Sequence, residues 1–254
     1  MSNSISLKSS KEIRFMERAN QMVSDVLSLV SKSCSPGVTT LELDRIAEQY
    51  CIDHNAAPAF KGYRGFPASL CVSINDQVVH GIPDQKTVLK DGDIVSIDFG
   101  VKYEGYYGDA AVTVAVGEIT PVNKKLISVT RQSLLEGIAQ AVVGNRVSDI
   151  SAAVQRCAED NGFSVVRQFV GHGIGRHLHE APEVPNYVRK GRSPRLHAGM
   201  VLAIEPMVNV GTSDVKVLKD GWTVVTTDGR NSAHFEHSVL ITDNGPEILS
   251  CSND

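Results

Sequence analysis

Residues 91–117, DGDIVSIDFGVKYEGYYGDAAVTVAVG, constrain the fold more than any other segment of this chain. Apolar and polar residues alternate in the first half, which is the period of a β-strand, and a β-rich return segment follows. With a turn centred between Tyr103 and Glu104, Asp98 lies directly opposite Asp109. If the centre moves by one residue, the two aspartates become diagonal neighbours on the same face.

The two aspartates predict a bound cation. Carboxylates side by side in a largely apolar hairpin repel each other and lose hydration when they are buried. A metal ion that prefers oxygen ligands is the simplest group that offsets both costs. We therefore expect Asp98 and Asp109 to be metal ligands.

The same pattern recurs 107 residues later. Residues 92–98, GDIVSID, align with residues 199–205, GMVLAIE, and this alignment matches Asp98 with Glu205. The same offset aligns Gly37 with Gly144. We infer an internal duplication within a single catalytic domain, residues 1–254. The approximate repeats are residues 10–117 and 118–245, and each contributes a carboxylate-bearing hairpin to a shared centre.

Composition limits the classes of function. The chain has 254 residues, of which 42% are hydrophobic, and a net charge of −4 without a long charged run, so nucleic acid is not an expected partner. Five scattered cysteines without a CxxC pair argue against a disulfide framework or a thiolate zinc site. No run approaches the roughly 18 apolar residues of a membrane span. No apolar signal segment opens the chain, so we expect a cytoplasmic protein. We also expect it to be a monomer.

Capping, turn and periodicity signals predict several other elements. The predicted helices are residues 9–32, 39–53, 121–142 and 148–161. The predicted strands are residues 71–75 and 200–210, and a hairpin of residues 222–242 has its turn at residues 228–229.

A loop at residues 56–71 is rich in glycine, proline and aromatic residues. Phe60, Tyr63 and Phe66 give it two interpretations. It is either a binding lid over a site or a surface loop pinned by its aromatic side chains.

Further ligand candidates lie in the second half. His172 and His179 occupy a glycine-rich loop, and Glu205 and Glu236 lie at strand ends. Four carboxylates with the imidazole of His172 form a set that suits divalent Mn, Fe, Co or Zn. Two ions about 3.5–4 Å apart would offset four carboxylates. The chain has neither an HExxH nor a GxSxG motif, so a metal-activated water is the expected nucleophile.

Six motifs follow one another along the chain. They are HGIP (80–83), SIDFG (96–100), GDAAVT (108–113), GHGIGRHLHE (171–180), EPM (205–207) and EHS (236–238). Together they resemble the bacterial-type methionine aminopeptidases of type I. The resemblance implies an α+β, pita-bread (creatinase/aminopeptidase-like) fold. In that fold a curved antiparallel sheet is backed by helix pairs with internal pseudo-twofold symmetry, which agrees with the 107-residue offset.

The resemblance also implies the ligand set of two divalent ions. Asp98, Asp109 and Glu236 would hold one ion. Asp109, His172, Glu205 and Glu236 would hold the other, so Asp109 and Glu236 bridge the two.

The reaction implied by the resemblance is removal of the initiator methionine from nascent proteins with a small second residue. A metal-bridging hydroxide would attack the carbonyl, and Glu205 would shuttle the proton to the leaving nitrogen. His179 would hydrogen-bond the developing oxyanion and contact the substrate. His80, which alone in a turn is more often structural, would contact the backbone of the second residue.

The resemblance assigns further positions to binding. The methionine pocket would be formed by Tyr63, Phe66, Cys71, His80 and Trp222. Phe60, His177 and Leu178 depart from the bacterial pattern and bear on the width of the pocket mouth. A monovalent cation would be held at Asn75, Gln77 and Ser232, of which Gln77 departs from the usual apolar residue.

Two alternative functions stay open at this point. One is a proline-specific peptidase of the same fold, whose members usually carry a further N-terminal domain that we do not expect here. The other is a non-catalytic binding protein that kept the fold. Such relatives tend to lose metal ligands, whereas all five stand in this chain. The expected partners are N-termini of nascent polypeptides, with a transient ribosome contact, and no membrane.

Overall fold

The computed structural model describes residues 5–251. Its α-helices are Ser10–Ser33 (α1), Thr40–Asp53 (α2), Pro121–Ala139 (α3) and Val147–Asp160 (α4), and a 3-10 turn covers Tyr63–Gly65. The strands of the first half are Ala57–Pro58 (β1), Cys71–Ile74 (β2), Gln77–Val79 (β3), Ile94–Tyr103 (β4) and Tyr106–Ala115 (β5). The strands of the second half are Ser164–Val165 (β6), Gly171–Gly173 (β7), Glu180–Val184 (β8), Val201–Ile204 (β9), Met207–Asn209 (β10), Val215–Val217 (β11), Val224–Thr226 (β12), Ser232–His234 (β13), Glu236–Thr242 (β14) and Gly245–Ile248 (β15). Within residues 5–251, no helix combines the length and the apolar character needed to cross a membrane.

The hairpin of β4 and β5 turns at Glu104 and Gly105, one residue later than the primary prediction. Both residues have positive φ, +49° and +81°, as in the type I′ turn that matches the twist of hairpin strands. Including Gly105 in the turn is favourable because glycine adopts positive φ without a steric cost. Asp98 therefore pairs with Ala111. Direct opposition of Asp98 and Asp109 was wrong, and the diagonal arrangement is the one observed.

Nine strands form one antiparallel sheet with the order β1-β4-β5-β14-β9-β7-β8, to which β2 adds at β4 and β15 at β14. The pairing of β5 with β14 joins the two halves of the chain and sets Ala111 opposite Glu236. Two small sheets, β13-β10-β6 and β11-β12-β3, flank the large one.

The helices cover one face of the large sheet. Val95, Ile97 and Phe99 of β4 pack with α1 and α2 in one buried cluster. Each fully buried side chain of this kind contributes about 1.5–3 kcal/mol. Because successive strand residues point to opposite faces, Ser96 and Asp98 face away from these helices.

The predicted helices are present, with one clear difference in length. Helix α3 ends at Ala139, three residues before the predicted end at Val142. The chain turns there toward Gly144, whose N–H donates to the carbonyl of Leu196 at 3.1 Å. The capping boxes at Ser9 and Thr39 are both formed.

Backbone contacts of the first half recur 107 positions later in the second. They are the β-bridges Thr39–Val88 and Arg146–Arg195, the hydrogen bonds from the N–H of Gly37 to Leu89 and of Gly144 to Leu196, and a φ of +94° at both Gly37 and Gly144. Two of the four aligned pairs keep the same residue, Gly37 with Gly144 and Leu89 with Leu196, and the other two pairs differ. A backbone geometry that recurs both where the residues agree and where they differ supports the inferred duplication.

Two strand predictions differ from the structure. The predicted strand of residues 200–210 is broken at Glu205-Pro206 into β9 and β10, which belong to different sheets, as the proline suggested. The predicted hairpin of residues 222–242 was wrong. Both edges of β12 are occupied by β11 and β3, so the chain leaves that sheet after Thr226 and pairs β13 with β10.

The close approach of α1 to β5 predicts a cost for any side chain at Gly108. A Cβ there would lie 2.7 Å from the backbone nitrogen of Asn20 and 2.8 Å from the carbonyl carbon of Ala19, so the helix would have to move. Gly108→Ala should lower the free energy of unfolding in urea by about 1–3 kcal/mol. Ala115→Ser adds one atom at an exposed position of the same strand and should change it by less than about 0.5 kcal/mol. Equal effects of the two substitutions would contradict this packing.

Candidate active site and metal centre

The five predicted metal ligands come from five strands that are consecutive in the large sheet. They are Asp98 on β4, Asp109 on β5, Glu236 at the start of β14, Glu205 directly after β9, and His172 on β7. Strand pairing therefore brings together side chains that are up to 138 positions apart in the sequence. All five line a single cavity of ≈260 Å³.

Distances within the cavity fit a metal centre. The Nε2 atom of His172 lies 3.5 Å from Oε1 of Glu205 and 4.0 Å from Oδ2 of Asp109. One ligand atom each from Asp109, His172 and Glu236 lie within 4.8 Å of one another. These side chains are close enough to share an ion without rearrangement of the backbone.

Three of the four carboxylates are at most partly hydrogen-bonded by the described part of the chain. Among residues 5–251, one oxygen each of Asp98, Asp109 and Glu236 is buried without a hydrogen-bond donor. Burial raises the pKa of Asp98 to about 7. Burial, together with repulsion from neighbouring carboxylates, raises the pKa of Asp109, Glu205 and Glu236 well above the usual range. Such groups fit divalent ions, which supply the missing positive charge and coordinate the free oxygens.

His172 is oriented as a metal ligand. Its Nδ1 lies 2.9 Å from the carbonyl oxygen of Gly173, which can only accept, so Nδ1 carries the proton. The Nε2 lone pair is then free and points toward Asp109 and Glu205. Burial lowers the pKa of His172 to about 4, which keeps the ring neutral, as a ligand must be.

The backbone of Asp109 is held in place by hydrogen bonds with Ser238. The hydroxyl of Ser238 donates to the Asp109 carbonyl at 2.8 Å and accepts from the Asp109 N–H at 3.3 Å. Ser238 is fully buried on β14. This contact fixes β5 to β14 beside two of the proposed ligands and explains why a serine follows Glu236 by two positions.

Two histidines without a predicted ligand role also line the cavity. Nδ1 of His179 lies 2.8 Å from the hydroxyl of Tyr63, and its ring lies 4.3 Å from that of His172. Desolvation of the ring within the cavity, together with the neighbouring His172, lowers the pKa of His179 to about 3. His80 has a φ of +60°, an uncommon conformation for a residue with a side chain and one that concentrates at functional sites. Burial lowers the pKa of His80 to about 4.

The remaining wall of the cavity is aromatic and apolar. Phe66 contacts Trp222 edge to face at 5.2 Å, and Cys71 is buried opposite Asp98 on the paired strand. Phe60, Tyr63 and Phe66 of the aromatic loop all line the cavity, which favours the binding-lid interpretation of that loop. Of the residues that depart from the bacterial pattern, Phe60 and Leu178 line the cavity. His177 is exposed and does not.

The loop that carries His179 is bonded to the segment that precedes α1. Lys8, which is buried, donates to Oε2 of Glu180 at 2.7 Å, and the backbone N–H of His177 donates to Oε1 of the same carboxylate. The N–H of Lys8 also donates to the carbonyl of Gly199. A buried ion pair between residues 172 positions apart thus holds the histidine loop against the start of the chain.

Asn75, Gln77 and Ser232 lie beside one another but outside the cavity. The carbonyl of Asn75 accepts from the N–H of Ser232 at 2.8 Å. The side-chain amide of Asn75 donates to the carboxylate of Asp93. The side-chain oxygen of Gln77 accepts from the backbone N–H of Ile74.

Sequence reasoning missed two residues near the site. Phe169 lines the cavity with its ring edge to face with His80 at 5.5 Å. His234 is buried with its Nε2 3.9 Å from Oε2 of Glu205. The spacing of His234 two positions before Glu236, on an extended segment, was the available signal, because alternate residues share a face. No local pattern marked Phe169.

Comparison with known proteins agrees with this geometry. Residues 14–243 match the model of metallopeptidase family M24. The chain is 57% identical to a methionine aminopeptidase of Clostridium perfringens over 246 residues, 97% of this chain and 98% of the relative. It is 51% identical to methionine aminopeptidase 1 of Bacillus subtilis over 96% of this chain and 98% of the relative. The crystal structure of a Thermotoga maritima methionine aminopeptidase superposes with a TM-score of 0.96 at 46% identity, covering 98% of this chain and all of that one.

A more distant likeness concerns the fold alone. A Bacillus anthracis Xaa-Pro dipeptidase has a TM-score of 0.76 at 22% identity, and this chain covers 62% of its length. The pita-bread fold predicted from the motifs is therefore confirmed. The chain belongs to metallopeptidase family M24, within which it is a methionine aminopeptidase of the bacterial type I.

The raised pKa values predict that metal binding releases protons. A divalent ion must displace protons from carboxyl groups that burial keeps protonated near neutral pH, among them Asp98 with its pKa of about 7. Affinity for Mn²⁺ should therefore rise between about pH 6 and pH 8. Calorimetry in buffers of different ionisation enthalpy measures the number of protons released, which we expect to be at least one per protein. Binding that is independent of pH and of buffer would contradict the protonated state.

Proposed function

We propose that this methionine aminopeptidase removes the initiator methionine from nascent proteins with a small second residue, using two divalent ions. The observation that supports the proposal most strongly is the convergence of five ligand-type side chains and two further histidines on one aromatic-walled cavity. Asp98, Asp109 and Glu236 would hold one ion. The other would be held by Asp109, His172, Glu205 and Glu236.

Bound divalent ions of Fe, Mn, Co or Zn would polarise the peptide carbonyl and lower the pKa of the attacking water. The residues of the chain do the remaining work. Glu205 takes the proton from the water and returns it to the leaving nitrogen, a role that its place in the cavity beside His172 allows.

His179 stabilises the negative charge that develops on the carbonyl oxygen. Nδ1 of the neutral imidazole lies 2.8 Å from the Tyr63 hydroxyl, and the proposed role requires this hydroxyl to donate, so that Nε2–H is left as the donor to the oxyanion. His80, held between Phe169 and Trp222, contacts the backbone of the second residue.

The cavity walls select the first residue. Phe66, Cys71 and Trp222, with the rings of Tyr63 and His80, offer an aromatic and sulfur-containing surface that suits an unbranched thioether. Phe60 and Leu178 narrow the same cavity and set the width of its entrance.

Several finer points belong to the same proposal. The substrate is the N-terminus of a nascent polypeptide. The protein acts in the cytoplasm as a monomer and contacts the ribosome transiently. Asn75, Gln77 and Ser232 remain a proposed site for a monovalent cation, near β3 and β13.

Substitution of the bridging carboxylates tests the proposal. Asp109→Asn and Glu236→Gln should abolish methionine release from a Met-Ala-Ser peptide and lower the metal content, because each removes a charge shared by both ions. The assay uses chelated protein to which Mn, Fe or Co is added back, with an Ala-Pro-Ser peptide in parallel. Glu247→Gln, an exposed carboxylate on β15, is the control and should leave both measurements unchanged. Near-normal turnover in either bridging variant, or cleavage of the proline peptide instead, would overturn the assignment.

A second pair of variants tests the histidine in the loop. His179→Ala should lower kcat by about 10²–10³-fold with metal content unchanged, because it removes an oxyanion donor and no ligand. Tyr63→Phe should lower kcat less, and the double variant should be no worse than His179→Ala alone, since Tyr63 acts through that ring. Loss of metal from His179→Ala would show that His179 is a metal ligand. Additive losses of kcat in the double variant would show that Tyr63 does not act through His179.

A further inference from the structure

His234 is a buried imidazole that the mechanism above does not use. Its exposure is 1%, and within residues 5–251 neither ring nitrogen has a hydrogen-bond partner. A buried polar group without a partner costs about 1–3 kcal/mol, so such a group in a folded protein calls for an explanation.

The backbone of His234 is held in place by the metal-binding hairpin. Its N–H donates to the hydroxyl of Thr113 at 2.8 Å, and that hydroxyl donates to the His234 carbonyl at 2.8 Å. Ser96 lies 2.8 Å from the same hydroxyl, and since the Thr113 proton is already used, Ser96 is the donor. Two buried residues, Thr113 and Ser96, therefore fix the position of His234 relative to the strands that carry Asp98 and Asp109.

The ring of His234 faces the carboxylate of Glu205. The two oxygens of Glu205 meet different imidazoles: Oε1 lies 3.5 Å from Nε2 of His172, and Oε2 lies 3.9 Å from Nε2 of His234. A distance of 3.9 Å is too long for a hydrogen bond. A bridging water, or a movement of the carboxylate by about 1 Å when it binds its ion, would connect Nε2 of His234 to Oε2 of Glu205.

We propose that His234 is a positioning residue that donates a hydrogen bond from Nε2–H to Oε2 of Glu205, leaving Oε1 for the ion that it shares with His172. This inference rests on the proposed function, because it assigns Glu205 to an ion and to proton transfer. Residues that hydrogen-bond metal ligands contribute about 10–100-fold to metal affinity or activity.

Direct coordination of the ion by His234 is the competing interpretation. Among the described residues, all five proposed ligands line the cavity, whereas His234 does not. This difference favours a position behind Glu205 rather than at the ion.

The test compares His234→Leu with His234→Gln in the full chain. Leucine removes the donor, whereas glutamine keeps an N–H group. Mn²⁺ is titrated by calorimetry into protein from which metal has been removed with a chelator. In His234→Leu, one of the two Mn²⁺ equivalents should bind about 10–100-fold more weakly, and in His234→Gln its affinity should change by less than about threefold. In Met-Ala-Ser hydrolysis, kcat should fall with KM unchanged in the leucine variant and recover in the glutamine variant.

Two controls separate this role from a structural one. The Tm of metal-free His234→Leu should equal or exceed that of the parent, because the substitution removes an unpartnered buried polar group. His237→Leu removes another imidazole beside Glu236, but this ring bonds Ser250 at 2.8 Å, and Mn²⁺ affinity should stay within about threefold.

Three results would overturn the inference: unchanged Mn²⁺ affinity in His234→Leu, an equal loss in His234→Gln, which would indicate coordination, or a lowered Tm of the metal-free leucine variant. Failure of the parent protein itself to bind Mn²⁺ or to release methionine would instead overturn the proposed function.

Discussion

The structure depends on how four carboxylates tolerate burial in one cavity. Asp98, Asp109, Glu205 and Glu236 lie on or directly after neighbouring strands, and burial raises the pKa of each carboxyl group. Repulsion from neighbouring carboxylates adds to the shift at Asp109, Glu205 and Glu236. Hydrophobic packing behind the sheet keeps these strands together despite that cost. Because the carboxyl groups have few donors of their own, divalent ions that bind the folded state will also stabilise it.

The sheet acts as a rigid support for this charge cluster. One side of β4 packs its apolar residues against α1 and α2, and the other side presents Asp98 to the cavity. Ser238 joins β5 to β14, and Thr113 joins β5 to the backbone of His234. Functional groups on strands are held more precisely than those on loops, and the groups proposed to meet the substrate come from loops tied to this support. Tyr63 and His179 illustrate this, since their hydrogen bond joins loops that are 116 positions apart.

Much of the site was predictable because its signals are local or repeated. Alternation placed Asp98 and Asp109 on one face with either of the two predicted turn centres, so the error of one residue at Glu104-Gly105 did not alter the proposed ligand assignment. The predicted hairpin of residues 222–242 failed for a different reason. A turn signal at Asp228-Gly229 reports where the chain reverses, but the partner of a strand is decided by which edges are already occupied.

The sequence by itself determined the helix starts, the alternation of the strands, the recurring segment and the motifs that carry the ligands, because each is written in neighbouring residues. Tertiary structure alone decided which strand edges pair, that the ring of Phe169 meets His80 edge to face, and that His234 faces Glu205. These depend on contacts between distant segments, whose geometry follows from packing the whole sheet and not from any local pattern.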